Sequence, residues 1–251
     1  MTDISTSTTQ PGARLFRLLN DLGVLNEGSS EPNIAQHLSD MIDFNGSIRL
    51  SETRVALPRV VARAQRNKGE DVRHQFLRVR ASMLQFIARS FGQRAPAQRI
   101  VLPEPNLDKF DSAASVFLPY GKFYIAMQRE LAQRSQGLRE AMRDNLRAHS
   151  DRLARLVALD KALDESLAAH YREMFGAIPK LLALRLEDII DDLRPSADAP
   201  LALHQRWERP GGGHDRFCYD MRAVSLAALE LRLEPHVGLL EALDEEVGDT
   251  P

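Results

Sequence analysis

The chain has 251 residues and a net charge of −2, with 43% hydrophobic and 27% charged side chains. These proportions are typical of a globular protein and exclude a chain that is disordered throughout. The lone cysteine, Cys218, excludes an internal disulfide and is typical of a reducing compartment. Because leucine and alanine are abundant while aromatic residues and β-branched runs are scarce, the composition predicts an all-α fold.

The first residues, MTDISTSTTQPG, are polar and lack the basic start and apolar run of a signal peptide. Later apolar stretches are interrupted by charges before they reach the roughly 18 residues that a membrane span requires. We therefore expect a cytoplasmic protein without direct membrane insertion.

Residues 1–13 are rich in Ser and Thr and predict a disordered tail. Residues 14–118 are predicted to form an N-terminal helical module. Its first helix is ARLFRLLNDLGVL, followed by helices over 34–44, 51–68 and 72–91. The segment RAPAQRIVLPEPN, with three prolines, predicts an irregular connector.

The helix over 72–91 has a broad apolar arc on a helical wheel, which predicts a core helix. The arc comprises Val72, Phe76, Val79, Met83, Leu84, Ile87 and Phe91. Arg73 and Arg80 fall inside this arc, where an unpaired charge is costly. We expect them to pair with acids of the C-terminal half, such as Asp188, Asp191 and Asp192.

Residues 54–99 form a basic island, with eleven basic and two acidic side chains, between acidic ends of the chain. Arg59, Arg63 and Arg66 are spaced to lie on one helical face, and such a stripe suits nucleic-acid phosphates. The hypothetical nucleic-acid surface comprises Arg59, Arg63, Arg66, Lys68, Arg78 and Arg89. The alternative is a solvated basic face, or arginines paired within the protein.

Residues 119–194 predict a long antiparallel helical hairpin, because leucines and methionines recur at steps of three and four. Gly176 is predicted to end its first helix, and Pro179 to begin the second. The apolar seam, as a partner or self-association surface, comprises Leu146, Leu153, Leu156, Leu163 and Leu167. Whether the hairpin itself fills this seam stays open.

Residues 195–251 predict a loop and a C-terminal packing helix, with Leu226, Leu229, Leu233, Val237, Leu240 and Leu243 on one face. The loop contains a glycine cluster, typical of a flexible turn, and groups that could hold zinc. These groups are His204, His214, Asp215, Cys218 and Asp220. They lack a paired-ligand spacing, so we expect no metal, no cofactor and no catalytic residue, and keep a metal-dependent hydrolase as a third alternative.

Several strings occur together along the chain, including LPYGKFYIAMQREL, LVALDKALDESLAAHYREMFGAIPKLLALRLE and LAALELRLEPHVGLLEAL. In their order and spacing they resemble an uncharacterised bacterial helical family of unknown function. That family is similar to accessory subunits found with MotA/ExbB-like and OmpA/MotB-like membrane proteins in Zorya-type anti-phage defence systems. The resemblance implies a non-enzymatic cytosolic subunit that works with a proton-driven membrane motor, and it supplies no active-site residues.

Two functions follow as expectations. In the first, the protein is an interaction subunit of a defence complex that engages nucleic acid, DNA above all, through its basic face. In the second, it is a coiled-coil adaptor that contacts only protein, either itself or another subunit.

Overall fold

A computed structural model of the chain describes residues 11–21, 69–92, 100–104, 112–194 and 202–248. All regular structure in these ranges is α-helical, which confirms the predicted all-α class. The six helices described there are α1 (Pro11–Asp21), α2 (Gly69–Ser90), α3 (Ala113–Arg147), α4 (Asp151–Leu193), α5 (Leu203–Glu208) and α6 (Gly213–Gly248). The helices predicted over 34–44 and 51–68 lie outside the described residues.

The last helix, α6, lies at the centre of the fold and packs against each of the other five described helices. A single apolar face was predicted for it, but α6 is buried on several sides. Phe217, Met221 and Val224 are fully buried, and of the predicted face Leu229, Leu233, Leu240 and Leu243 are buried, Leu226 is partly buried and Val237 is exposed. The difference arises because a helix surrounded by neighbours has no single core direction.

The first helix, α1, begins at Pro11, where a residue without a backbone donor suits the first helical turn. Residues 11–13 were assigned to the tail from sequence, but they are helical. Leu15 and Leu19 are buried, and α1 packs on α6. The first helix predicted for the N-terminal module is thus confirmed over its described residues.

Helix α2 confirms the predicted apolar arc, since Val72, Phe76, Met83 and Ile87 are buried against the core. The partner predicted for Arg73 differs. Its guanidinium is half exposed and forms an ion pair with Asp244 of α6.

The three acids proposed as partners face elsewhere. Asp191 pairs with Arg194 and Asp192 with Arg216, while Asp188 is exposed. An acid of the C-terminal half does meet Arg73, but only the packing of α2 on α6 determines which acid it is.

Helices α3 and α4 pack closely against each other, but the turn between them is not where the sequence predicted it. The chain leaves the helix at Ala148–Ser150, and α4 then continues through both Gly176 and Pro179 to Leu193. The Ser150 hydroxyl accepts a hydrogen bond from the Leu153 amide at 3.1 Å and caps the new helix. Pro179 costs α4 one backbone hydrogen bond, which the buried side chains around it offset.

None of the helices that the structure describes has a segment both long and apolar enough to traverse a bilayer.

Candidate functional site

The predicted nucleic-acid surface is described only in part. Arg59, Arg63, Arg66 and Lys68 lie outside the described residues. Arg78 and Arg89 lie on α2, and both side chains are exposed. Eleven residues make about three turns, so these two arginines lie on one side of α2, about 16 Å apart along its axis.

The predicted seam divides into two parts. Leu146 and Leu153 flank the hairpin turn and are fully buried, and Leu156 packs partly buried against the same core. Leu163 and Leu167 are only half-buried and lie outside the core cluster. The hairpin therefore fills the first part of the seam itself and leaves the second part accessible.

The accessible part belongs to a longer feature of α4. Between Val157 and Met174 this helix has no buried residue. Leu159, Leu163 and Leu167 are half-buried and follow one another at four-residue spacing, so they form one row along the helix surface. We refer to Leu159, Leu163 and Leu167 as the leucine stripe.

Beside the stripe, an ion cluster joins α3 to α4. Arg143, which is 1% exposed, donates from Nε to Asp160 Oδ2 at 2.7 Å and from Nη2 to Asp164 Oδ2 at 3.0 Å. Its Nη1 donates to Glu140 Oε1 at 2.6 Å. Arg139 donates to the same two aspartates, at 2.5 Å to Asp160 and 2.7 Å to Asp164.

We call Arg139, Glu140, Arg143, Asp160 and Asp164 the hairpin ion cluster. Burial acts to lower the pKa of Arg143, but its hydrogen bonds to the three carboxylates outweigh burial and raise the pKa instead. Because each guanidinium is saturated by carboxylates, the cluster fixes the register of the two helices rather than offering a reactive group.

The residues considered for metal binding are all described, and they do not converge. Among the described residues no group of three or more His, Cys, Asp or Glu side chains could hold an ion. Asp220 accepts a hydrogen bond from Arg185 at 2.8 Å, and Asp215 accepts one from the Gly211 amide at 2.8 Å. His204 is exposed on α5.

Two pairs from this group do meet at His214, since Cys218 Sγ lies 3.4 Å from its Nε2 and Asp215 Oδ1 lies 3.6 Å from its Nδ1. Burial raises the pKa of the Cys218 thiol to about 12, and burial also lowers the pKa of His214. Both side chains are thus neutral near pH 7, and the contact between them joins a thiol to an uncharged imidazole. A neutral thiol of this kind is a poor nucleophile, so the geometry resembles a Cys–His pair without its activation.

The glycine cluster is a tight turn under the only tryptophan. Gly211 has a φ of +71°, in the left-handed region. A Cβ on Gly213 would meet Trp207 Cε3 at 2.6 Å and Leu193 Cδ1 at 2.4 Å. The turn was predicted from its glycines, and the structure adds that Gly211 supplies the left-handed residue while Gly212 and Gly213 are packed too closely for a Cβ.

Sequence reasoning missed a second basic surface, which lies between α1 and α6. There a cavity of about 540 Å³ is lined by Arg14, Arg17, Leu18, Tyr219, Arg222, Ala223 and Leu226. The i, i+3 spacing of the arginines on α1, and of Tyr219 and Arg222 on α6, was the available signal. Only the fold shows that these two pairs line one groove.

Comparison with known protein families identifies the family of this chain. A family model described as "Protein of unknown function (DUF3348)" matches residues 1–245, and the chain belongs to this family. No curated protein and no solved structure matches the sequence significantly.

Proposed function

We propose that this DUF3348 family member is a non-enzymatic interaction subunit, which binds a protein partner or a second copy of itself through the leucine stripe. The observation that carries the proposal is the row of three half-buried leucines on α4, outside the core cluster, in a stretch without any buried residue. A row of half-buried apolar side chains at helical spacing suits an amphipathic partner helix.

The setting of the stripe supports a docking role. The hairpin ion cluster holds α3 against α4 through Asp160 and Asp164, which lie on α4 between and beside the leucines of the stripe. A surface held rigid before binding loses little conformational freedom on association. The neutral Cys218–His214 pair, the most enzyme-like group in the described chain, gives no support to a catalytic alternative.

The test is the double variant Leu163→Glu/Leu167→Glu, with Leu184→Glu as the matched control. Leu184 also lies on α4 and is 42% exposed, but it is outside the stripe. We expect the double variant to lose self-association by light scattering, or to lose co-purification with membrane-motor proteins and accessory subunits, while the control keeps both. Unchanged assembly of the double variant, with a normal circular dichroism spectrum, would contradict the proposal.

Leu153 is unsuited to this test. Its side chain is fully buried beside the hairpin turn, so a glutamate there unfolds the hairpin instead of blocking a surface.

The cellular setting is part of the same proposal. We place the protein in the cytosol, as an accessory subunit of an anti-phage defence complex linked to a MotA/MotB-like membrane motor, on the strength of the sequence resemblance alone. Phage plating on cells that carry the complex tests this setting. Deletion of the protein should abolish protection, and the double stripe variant should reproduce the deletion while Leu184→Glu does not.

Nucleic-acid binding by the basic island is the second candidate function. Arg78 and Arg89, exposed on one side of α2, support it, and Arg59, Arg63, Arg66 and Lys68 extend the same hypothesis. Contacts to three to six phosphates predict that log K falls with log salt at a slope of about −3 to −5. Anisotropy of labelled duplex DNA with Arg59→Ala/Arg63→Ala/Arg66→Ala and Arg78→Ala/Arg89→Ala variants tests it, and salt-independent or unaltered binding would count against it.

A further inference from the structure

The groove between α1 and α6 brings three guanidiniums together around one cavity. Arg14 and Arg17 lie on α1, and Arg222 lies on α6, where it is exposed. Arg222 is more than 200 positions from Arg14 and Arg17 in sequence, so the packing of α1 on α6 creates the site.

The charges in the groove are only partly neutralised. Arg14 donates to both carboxylate oxygens of Glu230, at 2.9 and 2.7 Å. Arg17 donates from Nε to the Ala13 carbonyl at 3.3 Å, which holds its stem along α1. Within the described part of the chain neither Arg17 nor Arg222 has a carboxylate partner, so three positive charges face one negative charge.

An aromatic ring stands beside these charges. Tyr219 is 74% exposed, although α6 places it one turn from Arg222 and at the lip of the cavity. The floor between them is apolar, formed by Leu18, Ala223 and Leu226. The volume of about 540 Å³ lies in the range of small-molecule sites.

We propose that this groove binds a nucleotide, either free or as a unit of a single-stranded nucleic acid. Arg17 and Arg222 bind phosphate oxygens, supported by Arg14, and the base stacks on Tyr219 over the apolar floor. Guanidiniums that follow the backbone and an aromatic platform for the base are the two elements of sequence-independent single-strand binding. An acidic peptide would use the arginines but would leave the exposed ring and the apolar floor without a role.

The inference goes beyond the proposed function. The leucine stripe lies on α4 and the groove lies between α1 and α6, so binding at one surface can be lost without loss of binding at the other. The stripe variant Leu163→Glu/Leu167→Glu should retain full nucleotide binding.

The experiment measures binding of AMP, ATP, inorganic pyrophosphate and a labelled oligothymidylate to the full chain. We expect Arg17→Ala/Arg222→Ala to weaken binding of all four probes at least tenfold, because each loses two charge-assisted contacts. Arg129→Ala/Arg172→Ala removes the same charge from exposed positions on α3 and α4 and should change nothing. Two or three phosphate contacts predict a salt slope of about −1.5 to −2 for the oligonucleotide.

Three further variants separate the roles of the tyrosine ring and of the charges. Tyr219→Ala should weaken the binding of AMP, ATP and oligothymidylate about tenfold and leave the binding of pyrophosphate unchanged. Tyr219→Phe, which keeps the aromatic ring, should bind all four probes as the unaltered protein does. Glu230→Gln removes the competing carboxylate from Arg14 and should strengthen binding several-fold, a gain that damage to the fold cannot produce.

The four probes also distinguish a free nucleotide from a single-stranded nucleic acid as the ligand. Tight binding of AMP or ATP identifies a free nucleotide, and binding of oligothymidylate alone identifies a nucleic acid; either supports the proposal. Absence of binding for every probe overturns it, as does full competition by polyglutamate together with an unaffected Tyr219→Ala variant.

Discussion

Arg143 of α3 and Asp160 of α4 are joined by a 2.7 Å hydrogen bond from Nε to Oδ2, at a place where the arginine side chain is 1% exposed. A charge this deeply buried is stable only while its partners remain. Its two neighbours on α4, Asp160 and Asp164, are shared with Arg139, so the loss of one arginine leaves two carboxylates with one guanidinium.

We therefore expect Arg143→Leu to lower the free energy of unfolding by about 3 kcal/mol. Urea denaturation followed by circular dichroism measures this loss. The exposed Arg155 supplies the control, and Arg155→Leu should change stability by less than about 0.5 kcal/mol. Similar stability of the two variants would show that the cluster does not hold the hairpin together.

A second prediction concerns pH and rests on His236. This buried side chain of α6 donates from Nε2 to the Ser135 carbonyl at 2.9 Å. Burial lowers its pKa below the usual value near 6.5, and Arg139 and Arg143 act in the same direction, while the Ser135 bond and Asp160 oppose them. The native state thus holds a neutral imidazole where the unfolded chain takes up a proton.

Stability from this group is fully present above pH 6.5 and is lost as the pH falls towards the lowered folded-state pKa. The slope is at most about 1.4 kcal/mol per pH unit, and His214, whose pKa burial also lowers, adds to it. His236→Gln keeps a donor for Ser135 and should reduce the pH dependence of the urea midpoint between pH 7 and 5. Exposed His204→Gln should leave that dependence unchanged.

A third prediction concerns Cys218. Because burial raises its thiol pKa to about 12, the folded protein holds very little thiolate at pH 8. Reaction with a disulfide reagent such as dithionitrobenzoate should be at least tenfold slower in the native protein than in urea. A native rate equal to the unfolded rate would instead indicate an accessible, activated cysteine and would reopen the catalytic alternative.

The sequence predicts buried faces well where a helix meets the core on one side. The positions Val72, Phe76, Met83 and Ile87 of α2 follow helical spacing and are all buried. In α6 the predicted apolar face contained fewer residues than are buried. Neighbouring helices cover α6 on several sides, so its buried residues do not follow one helical periodicity.

The hairpin turn shows why periodicity alone misplaced a boundary. Leu146 and Leu153 stand seven residues apart and both face the core, one on each side of the turn, so the apolar pattern continues across the break. The available signal was Ser150 followed by Asp151, a helix-capping pair. The α1–α6 groove lay beyond local reasoning, since it joins Arg17 to Arg222 through tertiary packing alone.

A final prediction tests the corrected course of α4. If the helix runs through Gly176, where an added Cβ meets nothing within 4 Å, Gly176→Ala should raise the free energy of unfolding by about 0.5–1 kcal/mol. Gly213→Ala should have the opposite effect and lower the free energy of unfolding by about 1–3 kcal/mol, because its Cβ would overlap Leu193 and Trp207. Thermal and urea unfolding of both variants measure the two signs.

The two glycines serve as controls for each other, since both changes add the same methyl group. A destabilised Gly176→Ala variant would support the turn at Gly176 that the sequence predicted, because alanine is disfavoured where a chain reverses at positive φ. A stabilised one places the reversal at Ala148–Ser150 and makes α4 a continuous support for the leucine stripe, which lies between that turn and Gly176.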